Sequence, residues 1–145
     1  MSTPKTFDLE AIEARANAAT PGPWEWFGNT KTHTCHLSTV HGGHRHVLNF
    51  WRWGMNAAQP AFQVALGPPI VAGDGCMMRL SEMEHECPEL GPRFEVEYRR
   101  DFYGIAHPDA EFIARAREDV PALIMEVKRL EVEVQALYDA LAGEP

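Results

Sequence analysis

Between Val120 and Leu141 the apolar side chains Val120, Leu123, Val127, Leu130, Val134, Leu137 and Leu141 recur at steps of three and four without a fault. Only an α-helix brings such a series onto one face, because 3.6 residues complete its turn. The spacing predicts a helix over residues 119–142, with Asp119 as its N-cap and Pro121 in the first turn, where the missing N–H has no partner to lose. Placing Val120, Val127, Val134 and Leu141 at heptad position a, and Leu123, Leu130 and Leu137 at d, gives the pattern that suits two-stranded parallel coiled coils. The flanks argue the other way. Glu126 and Glu133 fall at g, while Ile124, Glu131 and Tyr138 fall at e. In a parallel pair Glu126 would face Glu131 of the other copy. Two readings therefore stand side by side. The helix packs on its own sheet, with Ile124 and Tyr138 widening the buried stripe, or it pairs with another helix, as an oligomerisation or partner-binding element.

The rest of the chain reads as short strands between helices. Leu9, Ile12, Ala16 and Ala19 predict a first helix from about Phe7 to Ala18, which Thr20-Pro21-Gly22-Pro23 stops. Trp24–Phe27 follows as a strand. Thr34 to Trp53 reads as a β-hairpin turning at Gly42-Gly43, since two adjacent glycines supply the positive φ of a primed turn. Further strands are expected over Phe62–Leu66, Ile70–Ala72 and Phe94–Tyr98. Residues 79–93, rich in glutamate, proline and glycine, read as a surface loop. A helix opening at His107-Pro108-Asp109 precedes the heptad helix. The expected architecture is a single α+β domain over 1–145: an antiparallel sheet flanked by an N-terminal helix and one or two C-terminal helices.

Charge narrows the partners. The net charge is −8, and residues 1–75 balance five basic against five acidic side chains, so the whole excess lies in the second half. A chain with no basic stripe is poorly suited to phosphate backbones or anionic membranes, so neither nucleic acid nor membrane is expected. No apolar run approaches the ~18 residues of a membrane span. The first ten residues carry neither a basic nor an apolar leader, so a secretory signal is not expected. Cys35, Cys76 and Cys87 are an odd, widely spaced set that suits the reducing cytosol rather than a disulfide framework.

Two constellations lie on the hairpin. If Gly42-Gly43 is the turn, His41 pairs with His44 and Thr39 with His46, which gathers His41, His44 and His46 at the tip as three potential metal ligands. Zinc is the metal such a set would take. No Asp or Glu stands nearby as a base and the spacing fits no standard motif, so no cofactor is required. The opposite face would present His36, Ser38, Arg45, Asn49, Trp51 and Trp53, with Arg52 beside them. Stacked tryptophans next to arginine suit a planar ligand such as a nucleotide. The plainer reading is that Trp24, Trp26, Trp51 and Trp53 fill the core. There is no phosphate-binding loop, nucleophile elbow or zinc-helix motif, so enzymatic function is the less supported class and no catalytic residue is assigned.

Residues 9–26, from Leu-Glu-Ala-Ile through Ala-Thr-Pro-Gly-Pro-Trp-Glu-Trp, and residues 107–130, from His-Pro-Asp-Ala-Glu-Phe-Ile-Ala to Lys-Arg-Leu, resemble the opening and closing segments of small accessory proteins of tailed bacteriophages. The layout is similar to that of lambda-type early-region proteins, and Arg52-Trp53-Gly54-Met55 with Ala58-Gln59-Pro60 resembles proteins of actinobacterial phages. The resemblance implies a phage accessory protein in the host bacterial cytoplasm, binding a host protein or a signalling ligand in host takeover or defence evasion. It carries no catalytic residues to transfer. A nucleotide-binding sponge and a metal-dependent enzyme are the alternatives from other classes.

Overall fold

The computed structural model describes residues 7–41, 45–52, 54–64, 76–96 and 101–143. The order of elements is α1 (Leu9–Ala18), β1 (Trp24–Asn29), β2 (Thr34–Thr39), β3 (His46–Trp51), β4 (Gln59–Val64), β5 (Cys76–Arg79), α2 (Leu80–Glu86), β6 (Pro92–Val96), β7 (Asp101–Ile105) and α3 (Pro108–Ala142). Strands β1 to β5 form one antiparallel sheet in sequence order, and β6 with β7 forms a separate two-stranded ribbon. The fold is α+β, as the alternation of short strands and terminal helices predicts. The strand expected at Ile70–Ala72 lies outside the described residues, as do positions 65 and 66 of the strand expected at Phe62–Leu66.

Each helix starts on a physical signal. The Asp8 carboxylate accepts from the Ala11 N–H at 2.9 Å and so caps α1. Residues 79–93 are not the loop their composition suggests. Glu82 reaches back to the Arg79 N–H at 2.8 Å and to its guanidinium at 2.6 Å, which starts α2. Leu80, Met83 and Cys87, spaced at helical intervals, then turn inward and are buried. They join Phe62, Val64, Met78 and Ala110 in the core, with Leu48, Leu90 and Ile105 packed around it. Leu48, Phe62 and Met78 sit opposite one another on β3, β4 and β5, so the core occupies one face of the sheet.

The β2–β3 pairing differs from the expected register. Leu37 pairs with Leu48, but Ser38 pairs with His46, which leaves Val47 as an extra residue in a bulge. Val47 is completely buried. The Thr39 N–H accordingly donates to the Arg45 carbonyl at 2.9 Å rather than meeting His46. The expected break at Asp119 is also absent. A single helix of 35 residues runs through Pro121, and Asp119 is an internal residue of it.

Candidate functional site

The last helix has two parts with different surroundings. Its root, from His107 to about Ala122, is tied to the rest of the chain. The His107 ring closes the N-terminus: Nδ1 accepts from the Asp109 N–H at 3.2 Å, and the opposite nitrogen, Nε2, bonds the Gln63 carbonyl at 2.9 Å. A carbonyl can only accept, so the proton sits on Nε2 and leaves Nδ1 free to cap. The same ring stacks on Phe62 with centroids 5.0 Å apart. Asp109, 1% exposed, receives the Thr20 N–H at 2.5 Å and the Thr20 hydroxyl at 2.8 Å. Trp24 packs edge-on against Phe112 at 5.4 Å while its Nε1 donates to the Thr20 carbonyl. About two turns beyond Phe112, Arg15 forks onto Asp119 at 2.7 and 3.0 Å, and this ion pair holds the guanidinium pKa above its ordinary value. Thus α1 with the segment after it and the root of α3 are joined along one seam.

Beyond the root the helix leaves the body. Every residue from Val127 to Gly143 is exposed. The predicted stripe is therefore not packed on the protein's own sheet. Val120, Val127, Leu130, Val134, Leu137 and Leu141 are between 45% and 71% exposed, and only Leu123 is half-buried. Ile124 and Tyr138 extend the stripe on one flank. On the other flank Arg129 binds Glu126 at 2.7 and 2.9 Å and Glu133 at 2.8 Å. The arginine depresses the Glu126 pKa by hydrogen bonding, and the g-position carboxylates thus carry their own counter-ion. Met125 and Val132 stand alone on the far side.

The hairpin residues are spread differently. Asn49 lies directly across from His36, and Trp51, two residues on and across from Gln59, shares that face. Arg45 donates from Nε to Gln63 at 2.9 Å, Arg52 is exposed just past β3, and Trp53 lies outside the described residues. His46 is brought to His36 by the bulge, ring centroids 4.4 Å apart, and His36 in turn stacks on Phe27. Burial, then repulsion from His36, lowers the His46 pKa. His41 instead bonds the Gly22 carbonyl at 3.0 Å through Nε2, and His44 lies outside the described residues. Among the described residues no group of three histidine, cysteine or acidic side chains is placed to hold a metal. Ser38 Oγ, directly across from His46, and His46 Nδ1 are both buried without a hydrogen-bond partner. Nothing in the residue types of that pair would have marked it in the sequence.

The described tryptophans do not fill a common core. Trp24 is half-buried at the helix seam, whereas Trp26 on the edge strand is 61% exposed and Trp51 is exposed too. A cleft of about 430 Å³ lies between α1 and α3, bounded by Ile12, Arg15, Glu111, Arg115, Asp119 and Ala122. Another, of about 470 Å³, lies between the β6–β7 ribbon and α3, under Tyr103 and Arg93. Both are open at the surface and neither brings together a nucleophile with a base. Among the described residues no helix is long and apolar enough to cross a membrane.

The arrangement defines an α+β body that presents an exposed amphipathic helix. No protein-family model matches the chain, and neither the curated proteins nor the solved structures contain a significant match.

Proposed function

We propose that this chain is a non-enzymatic accessory protein of the tailed-phage type, which works in the host cytoplasm by association, with the outer part of α3 as its docking face. One observation carries the reading: an uninterrupted apolar stripe, Val120 to Leu141, stands about half or more exposed along nearly its whole length. Monomeric proteins rarely leave a contiguous apolar surface uncovered, and such a surface ordinarily marks a protein–protein contact. A helix with apolar residues at i, i+3, i+4 and i+7 is suited to another helix or to a groove. The root supports the same role, because Asp109, His107, Phe112 and Asp119 anchor the helix to the body and leave its outer part clear.

The test compares wild type with a Leu130→Lys, Leu137→Lys variant, both expressed in a host cell and purified by affinity. Both leucines lie on the exposed outer half, so the body should fold in either protein. Wild type should purify in an assembly, with itself or with a host protein, that the variant fails to form. Identical assemblies and identical partners for both proteins would remove the helix from the function.

A further inference from the structure

We propose that the occupant of the α3 stripe is a second copy of this chain, running antiparallel to the first. This rests on the reading that the stripe is a docking face and names what docks. The flanks of the stripe distinguish the two directions. In a parallel pair the g and e flanks of the two helices meet, so Glu126 would face Glu131 and Glu133 would face Tyr138, each contact occurring twice. Reversing one helix changes the company each flank keeps: e then meets e, and g meets g. Ile124 of one copy falls beside Tyr138 of the other at both ends, an apolar contact where a parallel pair would set Tyr138 beside Glu133.

The core layers fit the same reversal. With the two-fold axis at Val132, position a of one helix sits beside d of the other. Val127 meets Leu137, Val134 meets Leu130, and Leu141 meets Leu123. Every predicted stripe residue beyond the body is then matched. On the g flank Glu133 approaches its own copy, but each Glu133 already holds Arg129 at 2.8 Å, and Glu126 lies beside Ala140. Two like-charge contacts remain, Glu131 against Glu131 and Glu133 against Glu133, the second between carboxylates that each hold an Arg129.

Length points the same way. Leu123 to Leu141 spans about 27 Å at 1.5 Å per residue. That is also the segment free of the body, since Asp119 is held by Arg15 and Ala122 lines the cleft beside α1. An antiparallel pair therefore overlaps the two free segments completely and puts the two bodies at opposite ends. Half-exposed stripe and e-flank residues on both helices offer on the order of 500–1,000 Å² of apolar surface. That falls short of the ~1,200 Å² at which standard specific interfaces begin and lies among weak, transient contacts, so the dimer is a reversible one.

The experiment has two arms. Sedimentation velocity on the full chain, from low micromolar to near-millimolar concentration, should show a monomer–dimer equilibrium. Leu130→Lys, Leu137→Lys should weaken it more than about a hundredfold, since each leucine is lost from two layers and replaced by a charge. Glu131→Gln should tighten it roughly twofold to fivefold by removing the Glu131–Glu131 contact. Direction is read by cross-linking in a Cys35→Ser, Cys76→Ser background, both of those cysteines being exposed. Protein carrying Leu130→Cys is mixed with protein carrying Val134→Cys and oxidised gently. A cross-linked heterodimer in excess of either homodimer is the expected product. Homodimers of each in place of the heterodimer would mean parallel helices and overturn the proposal. So would a protein that stays monomeric at every concentration, or one that forms trimers or tetramers. If the monomer nevertheless captures a host protein that the lysine variant does not, the second copy is excluded as occupant while the docking face stands.

Discussion

Removing the Asp109 carboxylate should loosen the whole root of α3, and the structure allows the cost to be worked out. The side chain is 1% exposed, and its two oxygens take both polar hydrogens of Thr20, at 2.5 and 2.8 Å. Asp109→Ala leaves those donors facing a cavity from which water is excluded. Losing hydrogen bonds to a charged acceptor costs about 1.5–3 kcal/mol each, only partly recovered where the donors relax toward solvent. The carboxylate also lies in the first turn of the helix, where a negative charge contributes about 0.3–1 kcal/mol. A total of roughly 3–5 kcal/mol follows, a large share of the ~5–15 kcal/mol that holds a domain together. For a chain of this size that corresponds to a melting temperature lower by roughly 8–15 °C. Urea unfolding should show the midpoint moving with the slope unchanged, because the surface exposed on unfolding is the same. Thr20→Val isolates the hydroxyl and should cost about 1 kcal/mol. In the double variant the two effects should sum to less than their separate values, since the hydroxyl is already without its partner once Asp109 is gone. A loss below about 1 kcal/mol for Asp109→Ala, or simple additivity in the cycle, would refute the clasp as the anchor of the helix.

Two further outcomes follow from the body of the protein. The His46 pKa is lowered in the folded state by burial and by His36, so the unfolded chain takes up the proton first as the pH drops. Stability is complete above the unfolded histidine value of about 6.5 and drains below it, and His46→Phe should lessen the fall in the urea midpoint between pH 7.5 and pH 5.5; an unchanged fall would refute it. Burial raises the Cys87 thiol pKa, while Cys35 and Cys76 are exposed. Native protein should therefore take iodoacetamide on the two exposed thiols only, and mass spectrometry showing modified Cys87 before unfolding would count against its burial.

The alternation of strands and turns made most of the sheet legible, because each segment between Trp24 and Val64 is a β-rich run bounded by turn residues. What escaped was decided by single residues acting in three dimensions. Val47 adds one position to β3, and that one residue moves His46 from the expected side of the hairpin to the side of His36. The α2 segment hid behind its composition: Glu82, Glu84 and Glu86 suggest a solvated loop, yet Leu80, Met83 and Cys87 hold the i, i+3, i+7 spacing of a buried helical edge. Trp26 illustrates the converse. Its residue type favours a core, but Trp26 sits on the edge strand β1 two residues past Trp24, which takes the contact with Phe112 of α3, and its own ring stays exposed. The stripe on α3 was legible to the residue, whereas its surroundings were not, since periodicity records which face is apolar and not what covers it.

Asp119 and Pro121 show how the root and the free part of α3 meet. Together they read as the start of a new helix, because aspartate caps and proline is tolerated at the first turn. In the fold the aspartate is instead held by Arg15, 104 residues away in sequence. With its side chain engaged there, it has no reason to fold back on its own backbone, and the helix continues. Pro121 still lacks an N–H, so the Arg117 carbonyl, one turn earlier, loses its helical donor and must turn to solvent. That weak point falls where contact with α1 ends and the exposed stripe begins. A helix broken at this place would let the outer segment fold back and bury its leucines on the sheet; an unbroken one keeps them outside. The Arg15–Asp119 fork, which spans the join from the body side, thus favours the continuous helix that keeps the apolar stripe exposed.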